Sequence, residues 1–204
     1  MAAIIELHDD VAIKYFDDVA SYSRELKVYQ SALPHVPHLV DYGKADSNTH
    51  FIKAERADGI PYLNEPCFPV LKLAAAISDF HLATLRSDGH CLCHIDNQPK
   101  NILLSNDEYC FIDFSDSRVD YPETDISHLL LFWAAEFEHQ QFVDMSGSFI
   151  TLSQRAIRLN SEQWQKSLLQ SIARFDLRRI RHGRNLAHSP AQTANREWLK
   201  QVMI

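Results

Sequence analysis

Residues 93–125 read CHIDNQPKNILLSNDEYCFIDFSDSRVDYPETD. His94, Asp96 and Asn101 stand here in an H-x-D-x-x-x-x-N arrangement. An apolar run follows (Ile102, Leu103, Leu104), then a turn at Ser105, Asn106 and Asp107, then a second apolar run ending at Asp113 and Phe114. Apolar runs bounded by turn formers predict a β-hairpin. The stretch therefore reads as a loop, a hairpin, and a carboxylate just beyond the second strand.

A lone Asp in a loop is usually a turn former. Here two carboxylates and an amide fall in one order, with two apolar strands between Asn101 and Asp113. Asp96 suits a base that accepts the proton of an attacking hydroxyl. The Asn101 amide oxygen and the Asp113 carboxylate are hard oxygen donors, suited to Mg²⁺ or Mn²⁺ on phosphate oxygens. Asp116 is read as a solvated turn residue, with a further metal contact as the alternative.

The remaining chain can build a framework for this loop. Its 204 residues suffice for one domain or two packed lobes. The formal net charge of -7 argues against wholesale nucleic-acid binding. No apolar run approaches ~18 residues, so no membrane span is expected. The start, MAAIIELHDD, lacks the pattern of a signal peptide. A cytoplasmic location and reduced cysteines (Cys67, Cys91, Cys93, Cys110) are expected.

Residues 3–7 and 11–16 (AIIEL, VAIKYF) read as a hairpin around His8, Asp9 and Asp10. Lys14 is the one charge in the second strand and could simply snorkel. Residues 17–33 read as a helix with Val19, Tyr22, Leu26 and Tyr29 at helical spacing and Glu25 close by. Residues 39–43 and 50–54 form a second hairpin. Residues 68–85 read as a buried helix presenting Leu71, Ala74, Ile77, Phe80 and Leu85, with His81 as a hydrogen-bonded core residue. Helices are predicted over 125–138, 161–181 and 194–202, with a loop around Gly147. A zinc reading of the 90–94 segment is disfavoured, because C-x-C spacing is poor and period-2 alternation sends Cys and His to opposite faces.

The set Lys14, Glu25, His94, Asp96, Asn101 and Asp113 resembles the signature of the protein-kinase-like superfamily. Among its branches the chain is similar to aminoglycoside and other small-molecule phosphotransferases, lipopolysaccharide core kinases and the small kinase of the KEOPS complex. The likeness spans about residues 3–137. It implies an α/β (α+β) two-lobed protein-kinase-like fold. A reduced N-terminal antiparallel sheet with one helix would occupy residues 1–58, and a mainly helical lobe residues 59–204. It implies ATP- and Mg²⁺-dependent phosphotransfer to a hydroxyl of a protein, small molecule or glycan. Asp96 would orient or deprotonate the acceptor, and Lys100 would reach the γ-phosphate. Lys14, braced by Glu25, would hold phosphate, while backbone groups around Glu55 and Ala57 would bond the adenine. Asn101 and Asp113 would hold metal, with His94 and Asp125 as support.

Several departures from the signature stand out. No glycine precedes Gly43, so a glycine-rich phosphate loop is absent. Ile95 replaces an arginine, Ser115 the glycine of D-F-G, and Gln98 a lysine; the path from Asp113 to Asp125 is too short for a regulated activation segment. A pseudokinase scaffold or nucleotide sensor is the alternative function. Arg174, Arg178, Arg179, Arg181, His182 and Arg184 form a basic cluster, read either as a solvated helix end or as a dock for an anionic substrate.

Overall fold

A computed structural model describes residues 4–181, 183, 188–202 and 204. The chain divides into two compact units. The first combines Met1–Phe68 with His94–Arg118, and the second combines Pro69–Cys93 with Val119–Ile204. The grouping joins the H-x-D stretch to the N-terminal sheet, across the sequence division at residue 58.

In the first unit, β1 (Ile4–Leu7), β2 (Val11–Phe16), β3 (Leu39–Lys44) and β4 (His50–Glu55) form an antiparallel sheet in the order β1-β2-β4-β3. Helix α1 (Val19–Gln30) starts where Asp18 accepts from the N–H groups of Ala20 and Ser21, an N-cap that satisfies two otherwise orphaned donors. It buries Glu25, Val28 and Tyr29, while Val19 stays exposed, so the packed face is rotated from the predicted stripe.

A second sheet joins β5 (Ile60–Pro61) to the hairpin of β7 (Ile102–Ser105) and β8 (Glu108–Phe111) in the order β5-β7-β8. Gly59 enters it with φ +123°. A Cβ there would lie 2.6 Å from the Leu104 carbonyl oxygen, so the close approach requires glycine.

The second unit is mainly helical: α2 (Val70–Leu82), α3 (Pro122–Glu136), α4 (His139–Ile157), α5 (Ser161–Arg181) and α6 (Pro190–Gln201). The short strand β6 (Cys91–Cys93) pairs with β9 (Arg118–Asp120). Helix α2 buries Leu73, Ala74, Ile77, Phe80 and His81, whereas Leu71 and Leu85 are exposed; the inward face starts two residues later than the apolar count suggested.

The loop expected around Gly147 is instead the middle of α4. Phe142, Ser146, Phe149, Ile150, Ser153 and Ile157 recur at helical spacing and are buried. Burying each large apolar side chain is worth roughly 1.5–3 kcal/mol. That outweighs the cost of about 1 kcal/mol for one helical glycine. Small serines on the inner face allow close packing, and the Gly147 Cα faces open space. Helix α5 matches the sequence reading, with the Asn160 side chain accepting from the Gln163 N–H. Helix α6 begins four residues earlier than expected, at Pro190, behind a capping box of Ser189 and Gln192.

Candidate active site

Lys14 lies on the central strand β2, opposite Ile52 of β4. Its Nζ donates to Glu25 Oε2 and to Asp113 Oδ1, each at 2.6 Å. Strand, helix and the segment after β8 thus converge on one ammonium group. Glu25 is 1% exposed, Lys14 14% and Asp113 35%, so solvent reaches the arrangement from the Asp113 side.

Burial pushes the Glu25 carboxyl up to about 7, against the pull of Lys14. Burial alone would lower the Lys14 ammonium, but Glu25 and Asp113 together raise it. Burial would likewise raise the Asp113 carboxyl, yet Lys14 and the Ser115 hydroxyl hold it below the usual carboxylate range. Asp113 therefore stays ionised at neutral pH. Its Oδ1 accepts from both Lys14 and Ser115 Oγ, the latter at 3.0 Å. Among the described residues Oδ2 makes no hydrogen bond. Asp113 has φ +66°, a conformation that turns its carboxylate out of the strand direction.

The preceding loop is built differently. Asp96 is buried, and its Oδ2 accepts from Gln98 Nε2 at 2.9 Å and Asn101 Nδ2 at 3.2 Å. Asn101 Nδ2 also donates to the Asp96 carbonyl at 2.8 Å. Both bonds use the NH₂ group, which fixes the amide flip and leaves Oδ1 as a free acceptor. The Ile112 N–H donates to the Asn101 carbonyl at 3.0 Å, tying the loop to the residue before Asp113. His94 Nε2 donates to the Ile112 carbonyl at 2.9 Å, and its ring lies 4.7 Å from that of the buried Phe114. Ile95 has φ +69° within a three-residue turn closed by the Asp96 N–H on the His94 carbonyl. Positive φ at a β-branched residue stores backbone strain, on the order of 1–3 kcal/mol.

A cleft of about 860 Å³ is lined by Lys14, Lys100, Asp113 and Ser115, with Ile4, Ile5 and Glu6 of the exposed β1 edge and Thr49. That volume is within the range of cofactor-sized sites. Glu55 and Ala57 line a separate hollow of about 350 Å³, and the Glu55 N–H already donates to the His38 carbonyl. Asp116 is exposed in a turn closed by the Ser117 N–H on the Phe114 carbonyl. Asp125, in the second unit, lies in the first turn of α3, its Oδ2 3.0 Å from His81 Nε2. Arg174, Arg178, Arg179 and Arg181 lie on α5, all but Arg181 partly buried; His182 and Arg184 lie outside the described residues.

Sequence reading treated Ser115 and Gln98 only as departures from a signature, yet each bonds one of the two acidic side chains. Their position two residues from Asp113 and Asp96 was the available signal. Arg24 was missed altogether. Its Nε donates to the Ser115 carbonyl at 2.6 Å, a contact spanning 91 positions that leaves no local trace.

The model of the phosphotransferase enzyme family, APH, matches residues 47–154. The amicoumacin kinase hAmiN, solved with AMP-PNP, Ca²⁺ and Ami, superposes with a TM-score of 0.65 at 13% identity, covering 97% of this chain and 87% of that one. The aminoglycoside phosphotransferase APH(3'')-Id from Streptomyces rimosus, with ADP and streptomycin, gives 0.61 at 14% identity, covering 78% and 85%. The aminoglycoside phosphotransferase APH(4)-Ia gives 0.60 at 11% identity, covering 97% and 86%. At these identities the likeness establishes the kinase-like fold. No curated protein matches the chain. No helix among the described residues is long and apolar enough to cross a membrane.

Proposed function

Because the chain belongs to the phosphotransferase enzyme family, we propose that it moves the γ-phosphoryl group of ATP to a hydroxyl of a small-molecule acceptor, with Mg²⁺ as the working metal. The observation that carries this reading is the Lys14 ammonium held at 2.6 Å from both Glu25 and Asp113, in a cleft that Lys100 also lines. Two lysines and the ionised Asp113 carboxylate line this nucleotide-sized space together with Glu6, Asp17, Asp18 and Asp46, so a bound polyphosphate would need a metal ion to offset the surrounding negative charge.

The donor set fits a hard divalent cation. Asn101 Oδ1 and Asp113 Oδ2 are oxygen atoms without protein partners among the described residues, and the groups around them fix their orientation. Asn101 and Asp113 would hold Mg²⁺ there, and the ion would supply positive charge against the phosphates. Lys14 binds α- or β-phosphate oxygen, and buried Glu25 keeps the ammonium extended into the cleft. Lys100 is exposed and long enough to follow the γ-phosphate. Asp96 receives the acceptor proton while the amides of Gln98 and Asn101 hold its carboxylate still. The adenine end is assigned to backbone around Glu55 and Ala57. Glu55 pairs with Val11, three residues from Lys14 on the same strand. That is roughly 10 Å at the usual strand rise, a span suited to the body of a nucleotide.

The β1–β2 hairpin carries no glycine and forms one wall of the cleft. In this reading His8, Asp9 and Asp10 close a short lid, and the phosphates rest on side chains more than on backbone N–H groups. The small-molecule preference rests on the short path from Asp113 to Asp125 and on the relatives solved with streptomycin and with Ami. The test is transfer from γ-labelled ATP to a panel of aminoglycosides, nucleosides and sugars with Mg²⁺. Label on an acceptor supports the reading. Nucleotide binding with no transfer to any acceptor or to the protein itself would instead favour a nucleotide sensor.

A further inference from the structure

We infer that His81, Cys91 and Cys93 form a buried metal site for a thiophilic d¹⁰ cation, Zn²⁺ foremost, within the second unit and apart from the nucleotide cleft. The ligand atoms of the three side chains lie within 4.8 Å of one another, and all three residues are 0% exposed. Cys91 and Cys93 alternate onto one face of β6, as period-2 geometry requires. The third ligand comes from the last turn of α2, not from His90 or His94. His90 instead pairs with Asp88 at 3.2 Å and lies against Tyr121.

The separation of the two sulfurs fits zinc. The two sulfurs are 3.7 Å apart. With Zn–S bonds near 2.3 Å, that separation subtends about 107° at the metal, close to the tetrahedral angle. The histidine is also set up as a ligand. Its Nε2 lies 3.0 Å from Asp125 Oδ2, while buried Nδ1 has no hydrogen-bond partner among the described residues. A carboxylate on one ring nitrogen fixes the tautomer and leaves the lone pair of the other nitrogen for a metal. An unpartnered buried nitrogen is otherwise a net cost. Two soft sulfurs and one imidazole select Zn²⁺ or Cu⁺ over Mg²⁺. Three protein ligands leave one tetrahedral position for water or an anion. In the metal-free arrangement Cys93 Sγ donates to the Tyr121 carbonyl at 3.3 Å. Metal binding displaces that proton and the one on Cys91. Strand β6 runs directly into His94, so the metal would stiffen the segment from which the H-x-D loop departs.

The test uses the full chain, stripped with a chelator under reducing conditions and titrated with Co²⁺, then Zn²⁺. The expected result is about one equivalent of Co²⁺, with a near-ultraviolet thiolate charge-transfer band and the visible bands of tetrahedral cobalt, both erased by Zn²⁺. Cys91→Ser and Cys93→Ser should each abolish the charge-transfer band. Asp125→Asn should weaken affinity by roughly 10–100-fold. Cys67→Ser, at an exposed thiol, should leave the band intact. If the buried-site variants fail to fold, the unmodified chain decides. Absence of the band in the reduced protein, or its loss in Cys67→Ser, overturns the assignment.

Discussion

Asp96 and Asp113, both in the cleft-bearing unit, are held in different ways. Asp96 accepts from the side-chain amides of Gln98 and Asn101, both within five residues of it. Asp113 is gripped by a cation 99 positions away and by the hydroxyl of Ser115. Amide N–H groups fix the direction of a carboxylate through hydrogen bonds. An ammonium at 2.6 Å favours the ionised form and resists protonation. The contrast suits the two proposed roles, proton acceptor for Asp96 and metal ligand for Asp113, although both are aspartates in one short stretch.

Replacing Asp96 by Asn is expected to have the largest effect. The amide contacts can persist, but the proposed proton acceptor is gone, so turnover should fall by roughly 10²–10⁴. Stabilisation by Mg·ATP in a thermal-shift titration should survive. Loss of both would place Asp96 in nucleotide binding instead.

Asp113→Asn should act the other way. It removes the charge that pairs with Lys14 and would bind metal, and Mg²⁺-dependent nucleotide affinity should drop by at least roughly 10-fold. Calorimetric titration with and without Mg²⁺ reads this directly. An unchanged Mg²⁺ dependence would remove Asp113 from the metal site.

Glu25 sharpens the comparison through pH. Its carboxyl titrates near 7 when folded, above its ordinary value of 4.5. Between those pH values the folded chain holds a proton that the unfolded chain has released, so this group's contribution to stability falls as pH rises and levels off above about 7. Glu25→Gln should flatten that part of the stability–pH curve, measured by denaturant unfolding across pH 4.5–8. An unaltered slope would show that other groups set it.

The smallest effect concerns Ile95. Glycine adopts φ +69° without strain, so Ile95→Gly should stabilise the fold by up to about 1 kcal/mol, partly offset by a more flexible unfolded chain. A clear loss of stability would mean that the isoleucine side chain packs to greater advantage than the strain costs.

What the sequence disclosed follows from how local each interaction is. The Asp96–Asn101 loop and the β7–β8 hairpin were readable because donor, acceptor and turn lie within a few residues of one another. Lys14 and Glu25 were readable from the order of strand and helix. Helix α4 was not. Gly147 and its neighbouring serines resemble a loop locally, and only the partners of Phe142, Phe149 and Ile150 make the helix worthwhile. The His81–Cys91–Cys93 cluster was hidden for a similar reason: spacing within residues 90–94 disfavours a metal, and the third ligand arrives from a helix. Arg24 on the Ser115 carbonyl is purely tertiary.

The most direct measurement of the central claim is transfer of label from γ-labelled ATP to a hydroxyl acceptor, run side by side for the native chain and Asp96→Asn with Mg²⁺ present and chelated. The account predicts Mg²⁺-dependent labelling by the native chain and a loss of at least about 10²-fold in the variant, with both chains still stabilised by Mg·ATP. Equal labelling by the two chains, or labelling indifferent to Mg²⁺, would contradict it.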